Sequence, residues 1–185
     1  MSVQSEEPLQ KTLINNILVD ENTTPEEIVS LGKYHILVGN LHIKGIYSRK
    51  IPNIVLSKLD GNLVIEDSRL LWQFPNLKNI KGDVIVKNSY ITGFENLTNI
   101  FGDFKIKGST IVHMHNLKKI AGNVVLDNSD LIHALALETI GKDLFLKDST
   151  IVHAPELRYL NGKEFSGEPG VSITKSFSKP QGLTL

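Results

Sequence analysis

The sequence predicts a mainly β protein: a parallel β-solenoid with rungs of about twenty residues, closed by a short N-terminal helical cap. Three observations carry this. First, one phrase recurs: Gly82-Asp83-Val84-Ile85-Val86-Lys87 returns as Gly102-Asp103-Phe104-Lys105-Ile106-Lys107, as Gly122-Asn123-Val124-Val125-Leu126-Asp127 and as Lys142-Asp143-Leu144-Phe145-Leu146-Lys147. Second, apolar residues alternate inside each copy, the period of a strand. Third, a serine and a set of aliphatic positions return in the same register. Such a unit cannot bury its apolar face alone and must stack on its neighbours.

Taken in chain order, residues 1–34 read as the helical cap. Residues 1–7 are polar and read as disordered, and Leu9, Leu13, Ile14, Ile17 and Leu18 recur at helical spacing. A second helix is signalled by Thr24, Pro25 and Glu27, a capping box with proline at the first helical position, and Gly32 suits its end. A cap is needed because an open terminal rung exposes apolar side chains and unpaired strand edges.

Residues 35–165 form the repeats. Earlier copies start at Gly61-Asn62-Leu63 and, weakly, at Gly39-Asn40-Leu41, and Gly162 is expected to open one more, incomplete turn. The alternation turns Leu63 with Ile65, Val84 with Val86, Phe104 with Ile106, Val124 with Leu126, and Leu144 with Leu146 inward. The strand is followed by Ser68, Ser89, Ser109, Ser129 or Ser149, then by an aliphatic at Leu70, Ile91, Ile111, Leu131 or Ile151. Pairs such as Leu77/Ile80 and Leu97/Ile100 fit a tight helical turn, and the glycine before each strand suits a turn with positive φ. The rung is therefore expected to be a flattened coil with one parallel strand. Residues 166–185, rich in glycine and proline, read as a C-terminal cap or disordered tail.

The core Val84-x-Val86-x-x-Ser89-x-Ile91 resembles the leucine-rich-repeat pattern L-x-L-x-x-N-x-L, with serine in place of asparagine. The phrasing is also similar to receptor L-domain solenoids and to short repeats of bacterial proteins. The resemblance covers residues 39–160 and lacks the family's flanking cysteine caps. It implies a repeat module that binds protein, of bacterial type, as an interaction or effector protein.

Composition narrows the function classes. Twenty basic residues balance twenty acidic ones, so nucleic acid and anionic membrane are poor partners. The chain has no cysteine, which excludes disulfides and thiolate metal sites and fits a reducing compartment. No apolar run approaches a membrane span. No signal peptide is recognisable at Met1-Ser2-Val3-Gln4. The expectation is a cytoplasmic protein, with export by a route lacking a classical signal as the alternative.

The serine column offers hydroxyls, but a catalytic residue is needed once, whereas five copies in register argue for a hydrogen-bonded ladder. His113, His133 and His153 also align, with His115 beside them, and Trp72 and Gly93 fall near the equivalent place in earlier rungs. A stable metal site wants three or four converging ligands, and no acid or thiol completes this set. No catalytic residue, metal or cofactor is therefore assigned.

The outward strand positions carry the binding site. The first column reads His42, Val64, Ile85, Lys105, Val125, Phe145; the second reads Lys44, Glu66, Lys87, Lys107, Asp127, Lys147; Tyr90 lies nearby. An exposed apolar stripe rimmed by charge marks a contact surface for a protein partner or a second copy, unless residues 166–185 or the N-terminal helices cover it. Scattered Glu66 and Asp127 do not make the paired carboxylates of a glycosidase. An enzyme or carbohydrate-binding module acting on a polymer along the rungs is the alternative.

Overall fold

The computed structural model describes residues 10–47, 54–70, 74–164 and Ile173. The expectations for residues 1–7, Leu9, Trp72 and most of the tail lie outside the described residues. Within them the chain is a parallel β-solenoid with three sheets, not one strand and loops per rung. One rung runs through Asn99–Ile100, Phe104–Lys107 and Thr110–His113, each pairing in parallel with its counterparts about twenty residues away. The first sheet has nine strands, from Thr12–Ile14 to Lys163–Glu164; the second has seven, from Ile17–Val19 to Leu144–Lys147; the third has five, from Arg69–Leu70 to Thr150–His153.

Three faces need three corners, and each corner has its own chemistry. Between the first and second sheets sits the glycine column. Its members do not need positive φ, contrary to the sequence expectation: only Gly39 among them has it. They are glycines because successive backbones touch. A Cβ on Gly102 would lie 2.5 Å from the backbone of Gly82, and one on Gly122 would lie 2.5 Å from Gly102 O. The neighbouring Asn/Asp column binds the corner together: Asp83 N–H donates to Asn62 Oδ1, Asp103 N–H to Asp83 Oδ1, and Asn123 N–H to Asp103 Oδ1, at 2.7–2.8 Å.

The second corner leads to the third sheet. Its turn residues Asp67, Asn88, Gly108, Asn128 and Asp148 are all left-handed, with φ between 46° and 56°, the conformation asparagine, aspartate and glycine adopt at least cost. The third corner is a turn, not the helical turn that Leu97/Ile100 suggested. Leu97 N–H bonds back to Phe94 O at 3.3 Å and Leu117 N–H to Met114 O at 3.2 Å, after which the chain extends into the first sheet.

The interior is filled by stacked columns. Leu63, Val84, Phe104, Val124 and Leu144 are fully buried, as are Ile80, Ile100, Ile120 and Ile140 from the first sheet, and Ile111, Leu131 and Ile151 from the third. Each such side chain contributes about 1.5–3 kcal/mol on leaving water. An exposed ion pair contributes roughly 0–1 kcal/mol, so the columns, not the surface charges, hold the rungs together.

The ends depart from the sequence expectation. Leu13 and Ile17 belong to two strands, Thr12–Ile14 and Ile17–Val19, pairing with Ile36–Val38 and Leu41–Lys44. They start the first rung instead of forming a helix. Among the described residues only the second predicted helix forms, at Pro25–Leu31, with the Thr24/Glu27 capping box and Gly32 at its end; it buries Ile28 in the core. At the other end Gly162 opens no new rung. Asn161 and Gly162, with φ 53° and 69°, reverse the chain so that Lys163–Glu164 pairs antiparallel with Tyr159–Leu160. Positive φ at both turn residues is the hairpin geometry that Asn-Gly favours. Ile173 makes an antiparallel bridge to Ile151, closing against the last strand of the third sheet.

Candidate binding surfaces

The serine column is a hydrogen-bonded ladder. Ser68, Ser89, Ser109 and Ser129 are buried. The Ser89 hydroxyl donates to Lys87 O at 2.7 Å and accepts from Ser68 N–H at 3.0 Å; Ser89 N–H in turn donates to Ser109 Oγ at 2.9 Å. Ser109 and Ser129 repeat the pattern, and Ser149 ends it. Every hydroxyl proton is committed to a backbone carbonyl two residues back, at the bend into the third sheet.

The histidines stack. The His113, His133 and His153 rings lie 5.3 and 5.4 Å apart, nearly parallel, with His115 at 4.8 Å from His113. Burial, then the neighbouring imidazoles His113, His153 and His115, hold His133 below its ordinary value of 6.5. Among the described residues no three His, Asp or Glu groups are placed to hold a metal ion together. Gly93 stands in register with His113, as the spacing predicted.

The outward face of the seven-stranded sheet gathers most of the predicted site. Val64, Ile85, Lys105, Val125 and Phe145 fall in one unbroken register column. Val64, Ile85 and Val125 are half-buried by their neighbours and Phe145 is 40% exposed. Lys105 interrupts the stripe with its stem, while its ammonium is drawn aside to Asp103 at 2.8 Å and Asp83 at 3.1 Å. Those bonds, Asp103 first, raise the lysine above its usual value. For Asp103 burial acts upward but is outweighed by Lys105 and the Asn123 N–H, so its carboxyl lies below its usual value.

Beside the stripe runs a charged column. Lys87 bonds Glu66 at 2.8 Å, which lowers the Glu66 pKa; Glu66 also meets His42 at 3.2 Å. Asp127 sits between Lys107 at 3.8 Å and Lys147 at 3.4 Å. Lys87 and Lys107 are cross-strand neighbours, so the rim is net basic. Tyr90 does not join this face. It opens the third sheet, beside Arg69, whose guanidinium lies 5.4 Å from the ring centre.

Around the corner is a second surface that the sequence reading missed: a groove of about 480 Å³ along the serine ladder. Asn88, Gly108 and Asn128 line it from the corner, and Arg69, Tyr90, Thr110 and Asp130 from the third sheet. The signal was present as the Asn/Asp/Gly residue before each serine, but nothing in the sequence showed that a concave corner lay there.

Comparison with protein-family models, with curated proteins and with solved structures gives no match to this chain.

Proposed function

We propose that the protein is a non-catalytic protein-binding repeat module that uses the outward face of its seven-stranded sheet. The observation that carries this is the register column of Val64, Ile85, Val125 and Phe145, an apolar stripe on a solvent-facing sheet, edged by lysines. A sheet whose backbone is paired on both sides presents such side chains rigidly, which lowers the entropy lost on binding. The partner that fits is a protein surface with an apolar strip and an acidic margin, to meet Lys87, Lys107 and Lys147. Self-association would bring two basic rims together and is the less favoured occupant. Ile173, the one described residue of the tail, pairs on the third sheet, away from the stripe.

The leucine-rich, receptor L-domain-like and bacterial character suggested by the repeat phrase belongs to this same proposal. So do an interaction or effector role and a cytoplasmic location, for which the cysteine-free composition is the support.

The test is a double change, Ile85→Lys with Phe145→Lys. The variant keeps its circular dichroism and melting profile, while capture of the partner is lost and partner-induced slowing of hydrogen exchange at Val84–Lys87 and Leu144–Lys147 disappears. Undiminished capture, or exchange protection on another face, defeats the assignment. So does faster exchange at Ile85 and Phe145 after deletion of residues 174–185, since the stripe would then be core.

A further inference from the structure

The corner groove has a different chemistry from the sheet face. Its floor is the serine ladder, and the amides along it are already bonded between rungs: Asn88 N–H bonds Lys107 O, Gly108 N–H bonds Asp127 O, and Thr110 N–H bonds Ser89 O. A peptide strand, which binds chiefly through backbone hydrogen bonds, finds no edge here. The lining is polar and mixed in charge, with Arg69 against Asp130 and Asp148, so nothing selects a polyphosphate or other polyanion.

What the groove does offer is side-chain amides, carboxylates and a hydroxyl beside an aromatic ring. Asn88 and Asn128 carry donors and acceptors, one Asn88 donor being already bonded to Asp67 Oδ1 at 3.1 Å; Asp130 and Asp148 accept, and Thr110 does both. Tyr90, 40% exposed, gives a flat apolar surface with a polar tip, one face of it shared with the Arg69 guanidinium 5.4 Å from the ring centre. Together these match a pyranose ring, which has hydroxyls around its edge and C–H groups on its faces.

The groove also has a defined centre. Asn88 and Asn128 carry side chains at the left-handed corner position, with φ 46° and 49°, while Gly108 between them, at 56°, carries none. A Cβ at Gly108 would lie 3.0 Å from Asn88 Oδ1, so the gap is bounded on that side by the Asn88 amide. On the sheet side it faces small Thr110, flanked in register by Tyr90 and Asp130. Rungs follow one another at about 4.8 Å, close to the advance per sugar of an extended β-1,4-linked chain. We propose that this groove binds a neutral, extended polysaccharide, one sugar per rung, with the central sugar seated in the Gly108 gap against Tyr90.

The probes are cellohexaose, xylohexaose and mannohexaose, titrated into the full chain and followed by amide NMR shifts. At least one shifts Asn88, Tyr90, Gly108 and Thr110 together. Gly108→Asn supplies the residue that neighbouring rungs carry at the same backbone conformation. Its Cβ meets Asn88 Oδ1 at 3.0 Å, which the Asn88 side chain relieves by turning, so the variant stays folded by circular dichroism and weakens binding at least about tenfold, a change of about 1.4 kcal/mol. Tyr90→Ala does the same by removing the platform, and Ile85→Lys on the sheet face leaves sugar binding unchanged. The proposal falls if none of the three hexasaccharides moves these amides. It also falls if the shifts survive in both groove variants, if they map to the Ile85 column, or if hexagalacturonate binds more tightly than the neutral sugars.

Discussion

A single position in this fold is judged by its column. Phe104 is fully buried between Val84 and Val124, whereas Lys105 points out. Phe104→Ala is expected to cost about 3–5 kcal/mol, and Lys105→Ala under about 1 kcal/mol despite its two ion pairs; chemical denaturation of the two variants separates them. Ser109→Ala removes the acceptor of the buried Ser89 N–H and should cost about 1–3 kcal/mol, read the same way. Gly102→Ala pushes a methyl into the backbone of Gly82, a clash expected to cost about 1–3 kcal/mol in melting experiments. The inward phase and the serine ladder were legible because four-residue strands alternate visibly and five serines share a register. The reason for the glycines was not, because it is a contact between rungs and leaves no mark on local backbone preference.

An element here is a strand of two to four residues, and this is where sequence reading failed most. Asn99–Ile100 is too short to show a period, so the first sheet passed for a helical turn. Leu13 and Ile17 sit four apart because the outward-facing Ile14 and a two-residue corner separate two inward-facing strand positions, which imitates the spacing of a helix. The capped helix at Pro25–Leu31 was legible because its signals are local. The strands Thr110–His113, Asp130–His133 and Thr150–His153 align their imidazoles, and this sets a pH response. His133 is held below 6.5 in the fold, so the unfolded chain takes up its proton first as pH falls. Its contribution is therefore neutral above that value and turns destabilising as pH drops from there toward the folded pKa. Melting temperatures measured from pH 7.5 to 5 should fall, and less steeply in His133→Gln; equal slopes would show that the stack has no energetic role.

At the scale of the whole molecule, the parts are interchangeable. Each rung touches mainly the next, so stability is close to a sum of rung and interface terms. Deleting residues 103–122 joins Gly102 to Asn123 and keeps every column in register. The shortened chain should retain its β circular dichroism, melt at a lower temperature, and lose about 4.8 Å from its long dimension in X-ray scattering. Collapse to an unfolded chain would mean that the stack is cooperative beyond nearest neighbours. The sheet stripe was legible as a column from the repeat alone. The corner groove was not, since it needs the angle between two sheets, one of which the sequence did not reveal.

The Asn161-Gly162 hairpin matters wherever many copies of the chain meet. A parallel stack has no intrinsic length, and the top of one copy could serve as template for the bottom of another, as in cross-β assembly. The antiparallel strand Lys163–Glu164 and the bridge at Ile173 turn the hydrogen-bonding direction around on two of the three sheets, so a second molecule cannot continue the register there. Ending the chain at Leu160 would remove both stops, and the truncated protein should then polymerise head to tail into filaments visible by electron microscopy, while the intact chain stays dispersed.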